Sequence, residues 1–190
     1  MRYHGYLAVL RTGAVVAGSL LLVASTARAA ETFTANASVK TAAGASASAP
    51  MTVTIDRFAD DSERDALLKA VKNGGTPAAH EMLKGGKDVG TLQLGGRSTA
   101  IKYAYARAMG ASRLITVVTC EPIVYLGAGL PEPRAKAEYK LALAVFEVND
   151  AGTGSGELSP ASKVKVNEQG AVVTEDYGAD VVRLTKVAKK

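Results

Sequence analysis

The sequence predicts an α+β domain, mainly β, in which an antiparallel sheet forms a barrel or a sandwich and a helical hairpin is inserted after the second strand. Three observations carry this. Apolar and polar residues alternate with a period of two through 33–39 and 45–55, and strand-like runs recur from 89 to 187, the patterns of strands with a buried face. These runs are joined by short Gly, Pro, Asn and Asp groups, and a parallel crossover needs a dozen or more residues, so neighbouring strands pair antiparallel. Helical periodicity with caps is confined to about 60–85.

In chain order, residues 1–29 read as a secretory signal peptide. Arg2 and Arg11 precede an uncharged run from Thr12 to Ser25, and Ala27-Arg28-Ala29 forms an A-x-A cleavage site, with cleavage expected after Ala29. The 14 uncharged residues of that run fall short of the roughly 20 apolar residues that cross a bilayer. An exported protein of the periplasm or the extracellular space is therefore expected, with no membrane span after cleavage.

The remaining 30–190 form a single β-rich domain. In the whole chain of 190 residues, 47% are hydrophobic, 22% charged and 5% aromatic, with no Trp. That composition excludes wholesale disorder and requires a core of Val, Leu, Ile and Ala. Losing Arg2, Arg11 and Arg28 from 23 basic residues leaves 20 against 18 acids, a net charge of +2. Nucleic acid, which demands clustered Lys and Arg, is not an expected partner. Cys120 is the only cysteine, so no internal disulfide forms; it ends the apolar run Leu114 to Thr119 and is expected to be buried and inert.

Phe33, Ala35, Ala37 and Val39 alternate with polar neighbours, and Ala45, Ala47, Ala49, Met51, Val53 and Ile55 do so after a Gly-containing turn. This is the pattern of a long β-hairpin; the alternative is a flexible arm leading into a strand at Met51. Asp60 and Glu63 have capping-box spacing, Ala66, Leu67, Ala70 and Val71 form a stripe, and Gly74-Gly75 ends the first helix. Thr76-Pro77 opens a second helix that Gly85-Gly86 closes. The acids at 60, 61, 63 and 65 favour the helix dipole without any further role. Strand-like runs follow at 89–94, 100–108, 113–120, 138–148, 162–166, 171–174 and 181–187, and Gly152 to Gly156 reads as a flexible turn.

The chain lacks a complete catalytic set. His80 is the only histidine after residue 29, and it stands in His80-Glu81-Met82-Leu83-Lys84, where the zinc-protease pattern H-E-x-x-H needs a second His at the position of Lys84. No G-x-S-x-G surrounds a serine, and Gly152 to Gly156 lacks the Lys and the following helix of a phosphate loop. His80 is expected on the helix surface. No metal or cofactor is expected.

Two runs do carry an asymmetry. Ile101, Tyr103 and Tyr105 share one face against Ala100, Ala104 and Ala106; Tyr139, Leu141, Leu143 and Val145 oppose Ala142, Ala144 and Phe146. Either the Ala face admits the helices while the tyrosines pack a second layer, or Tyr103, Tyr105, Arg107 and Tyr139 line a ligand pocket inside a barrel.

The stretches Thr52 to Gly75 (TVTIDRFADDSERDALLKAVKNGG) and Gly156 to Val187 (GELSPASKVKVNEQGAVVTEDYGADVVRLTKV) resemble a group of small exported bacterial proteins with no assigned activity. The resemblance implies a bacterial exported protein with a shared core and transfers no chemistry. The leading expectation is a non-catalytic cell-envelope domain whose partner is a small hydrophobic ligand or an envelope protein. The alternatives are an envelope enzyme using Asp176 or Asp180 with Tyr177, and a structural protein that assembles through strand edges such as 181–187.

Overall fold

A computed structural model of the protein describes residues 30–40, 44, 46–123, 138–178 and 180–190; the expected signal peptide lies outside them. The two alternating runs at the start pair with each other as β1 (Glu31–Lys40) and β2 (Ser46–Ile55), in unbroken antiparallel register from Glu31↔Ile55 to Lys40↔Ser46. Then come the helix α1 (Asp61–Lys84) and the strands β3 (Gly90–Leu94), β4 (Arg97–Ile101), β5 (Tyr103–Met109) and β6 (Ser112–Thr119). The chain ends with β7 (Leu141–Asn149), β8 (Thr153–Val166), β9 (Val172–Tyr177) and β10 (Val182–Lys189).

The sheet order is β4-β3-β2-β1-β10-β8-β7-β6-β5, with β9 on β8, and every pair is antiparallel. The two ends of that path, β4 and β5, are consecutive in the chain. At the corner between them the Lys102 N–H donates to the Val118 carbonyl of β6 at 2.9 Å, so the sheet nearly closes into a barrel. The single strand expected over 100–108 is therefore two. Because the chain turns at Lys102, Ile101 points into the barrel core and Tyr103 packs on the other side of the wall, where an unbroken strand would put them on one face.

The barrel is filled. One inward row runs across five strands, Ala104, Val117, Ala144, Leu158 and Val182, each in register with the next. Small alanines in such rows leave space for the rings of Phe33 and Phe146, which meet edge to face with centroids 5.2 Å apart. The Ala faces of β5 and β7 thus line the interior and do not receive the helix, while Ala100 on β4 is exposed. The bulky faces of β5 and β7 look outward and form a second core with α1, in which Tyr103, Leu141 and Leu143 meet Leu67, Val71 and Leu83.

The expected helical hairpin is corrected to one kinked helix. Asp60 does cap it through the reciprocal box with Glu63, at 2.8 and 3.1 Å. The Gly74-Gly75 break, however, does not reverse the chain: Gly75 alone leaves helical geometry (φ +62°, ψ −154°) and the helix resumes at Thr76-Pro77. A hairpin would pack its two halves on each other. Here Leu67 and Val71 from one half and Ala79 and Leu83 from the other all bury against the outer face of the sheet.

The last half of β8 and β9 form a ribbon that extends beyond the barrel wall. β10 and β9 follow each other along the same side of β8, in register at Leu158↔Val182 and Ser162↔Tyr177. The strand expected as an assembly edge, 181–187, instead lies between β1 and β8. The stretch 153–156, expected as part of a turn, belongs to β8. Gly154 and Gly156 are required there by close approach, since a Cβ on Gly154 would lie 1.7 Å from the Glu147 carbonyl oxygen of β7.

Candidate functional site

A cavity of about 240 Å³ lies outside the barrel, between the start of α1, the outer face of β5 and β6, and the tip of the β8–β9 ribbon. Alternation on β5 places Tyr103, Tyr105 and Arg107 along one wall, paired across to Val118, Thr116 and Leu114 of β6. Three of the four residues expected to bind a ligand therefore come together, on the outside of the barrel and not within it, because the interior is occupied by side chains.

The helix closes the second side. The Ala59 N–H donates to the Ala104 carbonyl at 2.7 Å, which holds the start of α1 over β5 and brings Arg64 and Leu68 to the cavity. The Tyr105 hydroxyl donates to Asp61 Oδ1 at 2.9 Å and accepts from Arg64 Nη1 at 3.1 Å. Tyr103 and Tyr105 stack at 6.4 Å with 17° between ring planes. Burial pushes the Tyr103 phenol above its ordinary range, so it stays protonated.

The ribbon tip closes the third side with Gln169, Gly170, Ala171 and Val172. Asn167 shapes this turn: its Oδ1 accepts from the Ala171 N–H at 2.8 Å, and its carbonyl from the Gly170 N–H at 3.0 Å. Arg107 reaches across to the turn, donating from Nη1 to the Gln169 carbonyl at 3.4 Å.

The two guanidinium groups are in different states. Arg64 donates to Asp65 from Nε at 3.1 Å and Nη2 at 2.8 Å, and it lies 3.4 Å from Asp61. Its pairing with Asp65 and then with Tyr105 raises its pKa. Arg107 is half-buried, and among the described residues no carboxylate forms an ion pair with it. Among the described residues, no acidic one lines the cavity.

Tyr139 is not part of this site. It precedes β7, and its hydroxyl donates to Asp176 of β9, with Lys163 Nζ 5.3 Å from its ring centroid. The bond to Asp176 raises its pKa. Asp176 is thereby engaged by Tyr139, while Tyr177 is 47% exposed and lines, with Asp180, an open cleft beside β1 and β2. His80, expected on the surface, is 8% exposed; its Nε2 lies 3.2 Å from the Cys120 carbonyl and its Nδ1 3.3 Å from Glu81. Cys120 is half-buried, and burial pushes its thiol up.

Arg64, Leu68, Leu114, Thr116 and the ribbon tip are the lining residues that the sequence reading missed. Arg64 carried a weak signal: a basic residue among four helix-start acids, at the spacing to pair with Asp61. Among the described residues no group of three or more His, Cys, Asp and Glu is placed to hold a metal ion, and no helix is long and apolar enough to cross a membrane. Comparison of the chain with protein-family models, with curated proteins and with solved structures finds no match.

Proposed function

We propose that the protein is an exported, non-catalytic binding domain of the cell envelope and that the cavity beside Tyr103 and Tyr105 holds its ligand, a small and largely apolar molecule. The observation that carries this reading is the wall itself. Two stacked phenol rings, with Leu68, Leu114 and Val172 around them, border open space outside a barrel that is otherwise filled. Apolar surface of this kind with a few convergent polar groups suits a small ligand. Export rests on the charged start, the uncharged run and the Ala27-Arg28-Ala29 site.

Amide NMR shifts on titration with 2-naphthalenemethanol, a neutral flat probe, test the binding reading. Saturable shifts are expected at Tyr103 to Arg107, Leu114, Thr116 and Gln169 to Val172, and they should vanish in Ala171→Trp, which fills the cavity. Shifts that do not saturate, or that persist in the filled variant, would overturn it. N-terminal sequencing of the protein from the periplasm of an expressing bacterium should begin at Ala30; retention of the intact chain in the cytoplasm would refute export.

A further inference from the structure

We infer that the ligand of this cavity is a small carboxylic acid with a flat or branched apolar body, its carboxylate held by Arg107. The inference rests on the binding reading above and adds the chemical class.

The cavity is asymmetric in charge. Both of its cations are arginines and, among the described residues, no acid lines it; the nearby carboxylates of Asp61 and Asp65 stand behind the wall, engaged by Tyr105 and Arg64. Arg64 is already committed, with Asp65, Asp61 and the Tyr105 hydroxyl all engaged by its guanidinium. Its task is to hold the Tyr105 ring in place. Arg107 has a single long bond to a neutral carbonyl, that of Gln169 at 3.4 Å. A half-buried guanidinium with four of its five N–H donors unused within the described residues is a natural fork for a carboxylate, which accepts two parallel hydrogen bonds in a geometry that an arginine presents ready-made.

The spacing along β5 sets where the rest of the ligand lies. Residues two apart on a strand are separated by about 7 Å, roughly the length of a benzoate-sized acid. With its carboxylate at Arg107, the apolar body reaches Tyr105 and, for a longer molecule, the buried Tyr103. Leu114 pairs with Arg107 across the sheet, and Thr116 with Tyr105, so the opposite strand gives the ligand's body one apolar and one polar neighbour. The Gln169 carbonyl now bonded to Arg107 closes the site at the tip: a bound carboxylate would lie beside it and replace one weak neutral acceptor with a charge-assisted pair.

Paired titrations with 2-naphthoate and 2-naphthalenemethanol, which differ in the carboxylate alone, test this by NMR at 20 mM NaCl. Wild-type protein should bind the acid about tenfold more tightly than the alcohol, and that preference should weaken in 500 mM NaCl. Arg107→Gln should reduce the preference to less than twofold, with saturable alcohol shifts at Tyr103, Tyr105 and Val172 still present to show that the cavity persists. Arg107→Lys, which keeps the charge and loses the fork, should fall between the two. Equal affinities in the wild type, or a preference that survives Arg107→Gln, would overturn the carboxylate assignment while leaving the cavity as a binding site. Absence of saturable shifts with both probes would instead remove the binding reading and this inference with it.

Discussion

The Thr76 hydroxyl accepts a 2.9 Å hydrogen bond from the backbone N–H of Val164, 88 residues away. Thr76 stands just after Gly75, the residue at which α1 breaks, and Val164 lies where β8 leaves the barrel wall and its ribbon begins to cover the helix. The kink therefore presents a side-chain acceptor to a strand N–H that is buried. Removing it leaves that donor without its partner. Thr76→Val is expected to cost about 1–3 kcal/mol, and Thr76→Ser to cost less than half of that, measured by urea unfolding. A loss in Thr76→Ser larger than that in Thr76→Val would show that the methyl group, and not the hydroxyl, is what matters.

Glycines make a second prediction, because two kinds are present. A Cβ on Gly156 would lie 2.3 Å from the Val145 carbonyl oxygen and 2.4 Å from Phe146 Cβ. Gly156→Ala must push β7 from β8 in the middle of the barrel and should cost about 1–3 kcal/mol or more. Gly85, at the helix end with φ −75°, has nothing within 4 Å of the place a methyl group would take. There, Gly85→Ala should be neutral or raise stability by up to about 1 kcal/mol, since it only narrows the unfolded ensemble. Thermal melts of the two variants give the contrast directly.

Those glycines also show where the sequence is readable and where it is not. The β1–β2 hairpin is legible because alternation persists on both sides of its turn, and the Asp60 and Glu63 cap because its spacing has a local cause. A period of two says which residues share a face but not which layer that face meets. Thus Tyr103, Tyr105 and Arg107 are correctly grouped by their alternation, yet they face the helix outside the barrel and not its filled interior. Lys102 carries no turn residue, and the corner there is set by the closing bond to Val118, a contact no local pattern encodes. By alternation Tyr139 groups with Leu141 and Leu143, but it precedes β7, and Asp176 and Lys163 from the ribbon engage it. The ribbon tip itself is an ordinary turn in the sequence, and only its docking against Arg107 makes it part of a site.

Cys120 offers a chemical test of the second core. It directly follows β6, and its Sγ lies 3.9 Å from the His80 carbonyl of α1. Burial is the largest influence on the thiol and pushes its pKa up, so little thiolate is present at pH 8. Reaction with 5,5′-dithiobis(2-nitrobenzoate) at that pH should be at least about tenfold slower for the folded protein than in 6 M guanidinium chloride. His80→Ala, which opens the space over Cys120, should speed the folded-state reaction. A native rate equal to the unfolded one would mean that the end of α1 does not cover β6.

Glu31 ties one end of the barrel together across its width. Its two carboxylate oxygens accept from Arg113 of β6 at 3.2 and 2.8 Å, and Lys189 of β10 lies 3.3 Å away. Burial alone would push the Glu31 carboxyl up, but the Arg113 and Lys189 contacts outweigh it and hold the carboxyl below its ordinary 4.5. A carboxyl depressed in the folded state binds fewer protons there than in the unfolded chain. Its contribution is therefore present in full above about pH 4.5 and is lost as pH falls through the lower, folded value. Glu31→Gln should destabilise the protein by about 1–3 kcal/mol at pH 7, and the gap between variant and wild type should shrink steadily below pH 4.5. Urea titrations at pH 7, 5, 4 and 3 would measure it. A gap as wide at pH 3 as at pH 7 would show that the two cations act on Glu31 through packing and not through charge.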